Sequence, residues 1–215
     1  MLTLDRVSYH PAASATPILS QVSFTLEPKK MGLIVGPSGS GKSTLLEILA
    51  GLVSPSKGSL HWRDQELQPE TLQQLAGLVF QFPERHFCGH TVLEELRIGH
   101  PELGSEQVTK TLESVGLAIS LQAAPHALSG GQQRRLALAV QLIRQPYLLL
   151  LDEPTAGLDW SMKQQLIGLL ADLKKDWSLL VVSHDARDLA HLADYCWTLQ
   201  NGELLSQPLE MVPVA

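Results

Sequence analysis

Gly36-Pro37-Ser38-Gly39-Ser40-Gly41-Lys42-Ser43 is the stretch on which the fold turns. It fits the pattern G-x-x-x-x-G-K-[ST], with a continuous apolar run at residues 31–35 before it and a helix-forming stretch at residues 42–49 after it. Glycines lack a Cβ and can take positive φ, so backbone N–H groups are free to converge on phosphate oxygens. Lys42 then reaches the β- and γ-phosphates, the Ser43 hydroxyl ligates Mg2+, and the helix offers its positive N-terminal end. Strand, loop and helix in this order predict a nucleoside-triphosphate site built from Gly36, Ser38, Gly39, Ser40, Gly41, Lys42, Ser43 and Thr44. The pattern alone does not separate kinases, GTPases, helicases and transport ATPases.

Working outward, two more unbroken apolar runs, residues 148–151 and 179–182, each end at a polar residue, as parallel strands buried on both faces do. Between them, Leu166, Leu169, Leu170 and Leu173 recur at helical spacing and predict a strand-helix-strand crossover. Residues 2–9 and 22–26 alternate apolar and polar side chains around a small-residue loop, which predicts an antiparallel hairpin. A second hairpin is predicted at Asn201-Gly202. Residues 83–145 read instead as helical segments at 92–98, 106–115 and 131–143, parted by Gly, Pro and His. The expectation is one domain over residues 1–215, with a core of residues 1–82 and 146–215 and a helical subdomain of residues 83–145.

Composition narrows the function classes. The 215 residues are 44% hydrophobic and 18% charged, enough to bury a full core and unlike a disordered chain. A net charge of −6 leaves no basic footprint for a nucleic-acid partner. Cys88 and Cys196 lie far apart among apolar neighbours, so a reducing compartment is expected and a disulfide framework is not. No run approaches the roughly 18 to 20 apolar residues of a membrane span, and Asp5 and Arg6 stand where a signal peptide would be apolar. Any membrane association is expected through a partner.

A second site is legible at Leu148-Leu149-Leu150-Leu151-Asp152-Glu153, which ends a buried strand with two carboxylates at the edge where ligands of open α/β sheets bind. Asp152 is placed to hold Mg2+, and Glu153 to polarise the water that attacks the γ-phosphate. Leu128-Ser129-Gly130-Gly131-Gln132 precedes a long helical pattern, so Ser129 can cap the helix while the glycines leave N–H groups for an anion.

At this point the chain resembles the ATP-binding-cassette (ABC) ATPases, whose signature it matches as Leu-Ser-Gly-Gly-Gln. The resemblance implies an α/β P-loop core with a mixed sheet, an N-terminal antiparallel β subdomain and an inserted α-helical subdomain. It implies hydrolysis of ATP with Mg2+ in a dimer, homodimeric or formed with a paralogue. There Ser129, Gly130, Gly131 and Gln132 meet the γ-phosphate of ATP held by the opposite subunit. Gln81 resembles the glutamine that contacts Mg2+ and water, and His184 the histidine that reaches the γ-phosphate. Asp159, in Ala156-Gly157-Leu158-Asp159, resembles the residue that signals between subunits, and also reads as a helix N-cap. Tyr9 is similar to the aromatic that stacks on adenine, with core packing as its other reading. Glu27-Pro28-Lys29-Lys30 departs from the family's Pro-Gly turn.

Phe80-Gln81-Phe82-Pro83-Glu84, followed by Thr91-Val92-Leu93-Glu94-Glu95, is similar to the energy-coupling-factor type, importers of vitamins and of metal ions such as cobalt and nickel. That resemblance implies an integral membrane subunit docking beyond Gln81, on a surface including Phe82, Phe87, Val92 and Leu93, at the cytoplasmic face of the membrane. The extra C-terminal segment of many such ATPases is not expected, since the chain stops soon after Leu205. A soluble ABC ATPase acting in cofactor or protein-complex assembly is the alternative. His86, Cys88 and His90 alternate, which would align three metal ligands on one face of an extended segment. Against that, Cys88 reads equally as a buried apolar residue.

Overall fold

The computed structural model describes residues 1–12 and 16–207. Part of the loop expected after the first strand, and residues 208–215 of the expected domain, lie outside them.

Strands β1 (Leu2–Tyr9) and β2 (Leu19–Leu26) pair antiparallel, with Leu2 opposite Leu26 and Leu4 opposite Phe24. The hairpin starts earlier than its alternation suggested, because bulges break the period of two. Arg6 and Gln21 adopt positive φ (48° and 49°), so Leu4 and Val7, and likewise Leu19 and Val22, point inward at a spacing of three. A turn then leads into β3 (Met31–Val35). In that turn Lys29 takes the left-handed conformation (φ 58°) that glycine adopts more readily, and its N–H donates to Ser178 Oγ at 3.0 Å.

Helix α1 (Lys42–Leu49) follows the phosphate loop, then come β4 (Lys57–Trp62), the short β5 (Gln65–Glu66), α2 (Pro69–Leu75) and β6 (Ala76–Val79). Sequence reasoning missed β4, β5 and α2. Leu75 ends α2, and β6 opens at Ala76 with no turn between them. Helices α3 (Val92–Arg97), α4 (Ser105–Ser114) and α5 (Gly130–Leu142) match the expected helical segments to within a residue or so. The chain then runs through β7 (Leu148–Asp152), α6 (Trp160–Leu173), β8 (Ser178–Ser183), β9 (Tyr195–Gln200) and β10 (Glu203–Gln207).

Two sheets result. An antiparallel sheet has the order β2-β1-β4-β5, and a mixed sheet the order β10-β9-β3-β8-β7-β6, parallel except for β10. The β9–β10 turn carries positive φ at both Asn201 (51°) and Gly202 (79°), as a two-residue hairpin requires. Gly202 O accepts from Ser20 N at 2.8 Å, tying the sheets together.

Each apolar run of the mixed sheet serves two cores. Leu149, Leu151, Leu179 and Val181 join Met31 and Leu33 in a cluster with α3 to α6, including Val92, Leu112, Leu136 and Leu170. Leu148, Leu150, Leu180 and Val182 join Ile34 in a second cluster with α1 and the antiparallel sheet. A strand alternates its side chains between faces, so an all-apolar run is what a sheet covered on both sides demands.

Candidate functional site

The C-terminal ends of β3, β7 and β8 converge on one place. Gly36 N–H donates to Ser183 O at 3.2 Å, fastening the start of the phosphate loop to the end of β8. A Cβ on Gly36 would stand 2.3 Å from Leu199 O, so only glycine fits there. Gly41, at φ 102°, precedes α1 without a side-chain cap, and the helix has no acidic residue in its first turn. Ser40 Oγ is buried with no protein partner. An uncapped helix N-terminus and an unused buried hydroxyl suit an anion such as phosphate. Lys42 is 7% exposed, and its ammonium donates to Gly36 O (2.8 Å) and Pro37 O (3.0 Å).

Glu153 follows β7 in a left-handed conformation (φ 46°), held by its N–H donating to Val182 O at 2.9 Å. This aims the carboxylate across the strand ends. Its Oε1 lies 3.8 Å from Lys42 Nζ, while Oε2 accepts from His184 Nδ1 (2.7 Å) and Ser183 Oγ (3.3 Å). A carboxylate only accepts, so the proton of that short contact belongs to Nδ1 of the ring. Neighbouring Asp152 is buried, and burial pushes its carboxyl above the ordinary carboxylate range, with the charge of Glu153 adding to the effect. A hydrogen bond from Ser43 and the ammonium of Lys42 oppose it. Glu47 on α1 is raised too, by burial and then by the charge of Asp152. Ser43 and Asp152, bonded to each other, offer oxygen donors of the kind a hard divalent cation shares with phosphate oxygens.

Gln81 lies just beyond β6, and its backbone carbonyl accepts from Arg134 Nη2 at 3.3 Å. Ser129 caps α5 in a reciprocal box: Gln132 N–H donates to Ser129 Oγ (3.4 Å), and Ser129 N–H donates to Gln132 Oε1 (2.9 Å). Asp159 caps α6 by accepting from Met162 N at 2.9 Å. A cleft of about 460 Å3 brings Ser129, Gly131, Gln132 and Asp159 together, and no residue of 36–44 lines it. The cleft at the start of α5 is thus separate from the phosphate loop. Tyr9 ends β1, partly buried against the core of the antiparallel sheet.

Three expectations are corrected. His86, Cys88 and His90 do not gather: the His86 ring stacks on Phe80 at 4.4 Å, and the Cys88 and Gly89 N–H groups donate to buried Glu95 (2.8 and 2.6 Å). No group of three metal-ligating side chains occurs among the described residues. Cys88 is not the buried apolar residue of the competing reading either, but exposed. Val92, expected on a docking surface, is fully buried, whereas Phe82 is 42% exposed. Sequence reasoning also missed Ser183 and Arg134, which no spacing pattern singles out.

The profile of the family described as ABC transporter matches residues 19–156. The chain belongs to the ABC transporter family. ABC transporter I family member 11, chloroplastic, of Arabidopsis thaliana is 47% identical to it, over 93% of this chain and 78% of the relative. Energy-coupling factor transporter ATP-binding protein EcfA2 of Caldanaerobacter subterraneus subsp. tengcongensis is 35% identical, over 92% and 74%. Among solved structures, cbiO1 of Clostridium perfringens, part of the ABC transporter complex cbiONQ, superposes with a TM-score of 0.86 at 25% identity, covering 95% of this chain and 86% of that one. The ATP-binding cassette MJ0796, in a dimeric post-hydrolysis state with ADP and Pi, superposes at 0.81 with 27% identity, covering 95% and 96%. This ABC chain is therefore a transporter ATPase that binds and hydrolyses ATP. No helix among its described residues is long and apolar enough to cross a membrane.

Proposed function

We propose that the chain is the ATP-hydrolysing subunit of an energy-coupling-factor type importer of a metal ion or vitamin. It works at the cytoplasmic face of the membrane against an integral membrane subunit. The names of the EcfA2 and cbiO1 relatives support the transporter type over a soluble assembly role. The single observation that carries the mechanism is the separation of the two half-sites. Lys42, Asp152, Glu153 and His184 lie at one place, while Ser129 and Asp159 share a cleft without any phosphate-loop residue. A complete site then needs a second cassette, identical or paralogous, turned so that its Ser129 to Gln132 loop faces Lys42.

In that arrangement Tyr9 stacks on adenine. The loop from Gly36 to Thr44, including Ser38, Gly39, Ser40 and Gly41, wraps the phosphates. Lys42 turns from the carbonyls of Gly36 and Pro37 to the β- and γ-phosphates. Ser43, Gln81 and Asp152 would hold Mg2+, which would supply charge neutralisation at the phosphate oxygens. Glu153 orients the attacking water and takes its proton, and His184, already bonded to Glu153, meets the γ-phosphate. Asp159 signals between the subunits across the interface.

The test is to purify tagged Glu153→Gln protein with MgATP from gently solubilised membranes of its native cell and identify what accompanies it. Recovery of an integral membrane protein with a second cassette is expected. Recovery of soluble proteins alone would overturn the transporter reading in favour of assembly.

A further inference from the structure

Three consecutive side chains of α5 fasten that helix to different parts of the fold. Gln133 Nε2 donates to Pro125 O (3.2 Å), and Arg135 donates to Gly116 O (2.8 Å) and Gln165 Oε1 (2.7 Å), all within the helical layer. Arg134, between them, turns the other way. Its Nη1 donates to the carbonyls of Pro154 and Ala156, the latter at 3.0 Å, and its Nη2 donates to Gln81 O. One guanidinium therefore joins the helix that Ser129 caps to the segment after β6 and to the turn that directly follows Glu153.

Those acceptors are main-chain atoms of the two segments whose side chains the hydrolysis reading uses. Pro154 is adjacent to Glu153 in the chain, and Gln81 is itself a proposed ligand of the attacking water and metal. Arginine is suited to the task because its planar fork presents several donors in fixed directions, whereas a lysine ammonium is a single point on a flexible stem. The same helix face continues to Ala137 and Gln141, which line a cleft with Phe80, Pro83 and Phe87 beyond Gln81.

We propose that Arg134 is a positioning residue for ATP hydrolysis: it holds Gln81 and the turn after Glu153 in register with α5, so that a movement of α5 shifts both together. The inference rests on the roles given above to Gln81 and Glu153. Small misplacements of reacting groups are enough for a large kinetic effect, and a loss of about ten- to a hundredfold in kcat is expected when the fork is removed.

The experiment compares the full chain with Arg134→Met, Arg134→Lys, Gln81→Ala and the Arg134→Met/Gln81→Ala pair, measuring kcat, KM for MgATP, nucleotide affinity at equilibrium and thermal midpoint. Arg134→Met is expected to lower kcat while ATP affinity stays within about twofold, Arg134→Lys to recover part of the rate, and the pair to be less impaired than the product of its two single losses. Independent multiplication of the two losses would overturn the coupling and leave the site reading intact. A fall in thermal midpoint with unchanged kcat would reduce Arg134 to a structural tie and overturn the proposal. Full activity of Gln81→Ala alone would remove Gln81 from the site and overturn both readings.

Discussion

His184 Nδ1 lies 2.7 Å from Glu153 Oε2, so the imidazole orients the carboxylate. Its second oxygen remains near Lys42. Such a carboxylate is a fixed acceptor whose direction is set by its neighbours, as a general base needs.

Glu153→Gln keeps the side-chain shape and removes the proton acceptor. Its kcat should fall by roughly 10²- to 10⁴-fold with ATP affinity preserved. Size-exclusion chromatography in MgATP should show an accumulated dimer, and a monomer at saturating MgATP, with a paralogue also supplied, would contradict closure around two nucleotides.

Lys42→Ala should act on binding. A charge-assisted hydrogen bond contributes about 1.5 to 3 kcal/mol, so ATP affinity should fall by about ten- to a hundredfold in calorimetric titration. Turnover equal to the parent's would contradict the phosphate-loop assignment.

Asp152→Asn should trade activity for stability. Burial raises the Asp152 carboxyl in the folded chain, so folding favours the protonated form. Its stabilising share is present below the ordinary carboxylate value and is lost as pH rises through the raised one; at neutral pH the ionised group is a burden. The variant should melt about 2 to 4 °C higher than the parent at pH 7 without nucleotide, the shift expected of roughly 1 kcal/mol, while losing Mg2+-dependent hydrolysis. That gain should shrink as the scans are moved to lower pH, and a gain independent of pH would contradict the assignment to Asp152 ionisation.

Ser129 offers a way to separate cap from contact. Ser129→Ala removes the acceptor for Gln132 N–H and should cost about 1 kcal/mol of stability. Ser129→Asp restores a capping oxygen and should recover the melting temperature, yet it places a negative charge where the reading puts a partner's γ-phosphate. ATP-driven dimerisation should fail in Ser129→Asp, and retention of it would count against the half-site assignment.

The parallel strands were legible because their runs are unbroken, and α5 and α6 because Ser129 and Asp159 cap them as their residue types suggest. The phosphate loop and the Asp152-Glu153 pair were visible for a related reason: close main-chain approach and strand-end carboxylates both leave local marks. What stayed hidden depends on partners distant in the chain. The bulges at Arg6 and Gln21 use residues with no special preference for positive φ, so the break they make in the period of two leaves no mark in the sequence. Val92 looked like surface because apolar residues of a docking face and of a core have the same composition; only the packing of α3 on α5 distinguishes them. Arg134 bonds main-chain carbonyls, which every residue has, and no side-chain pattern can announce such acceptors.

The division of the mixed sheet between two apolar clusters has an evolutionary consequence. Substitutions among the helices meet Leu149, Leu151, Leu179 and Val181, while Leu148, Leu150, Leu180 and Val182 answer to α1 and the antiparallel sheet. Drift on one face need not be matched on the other.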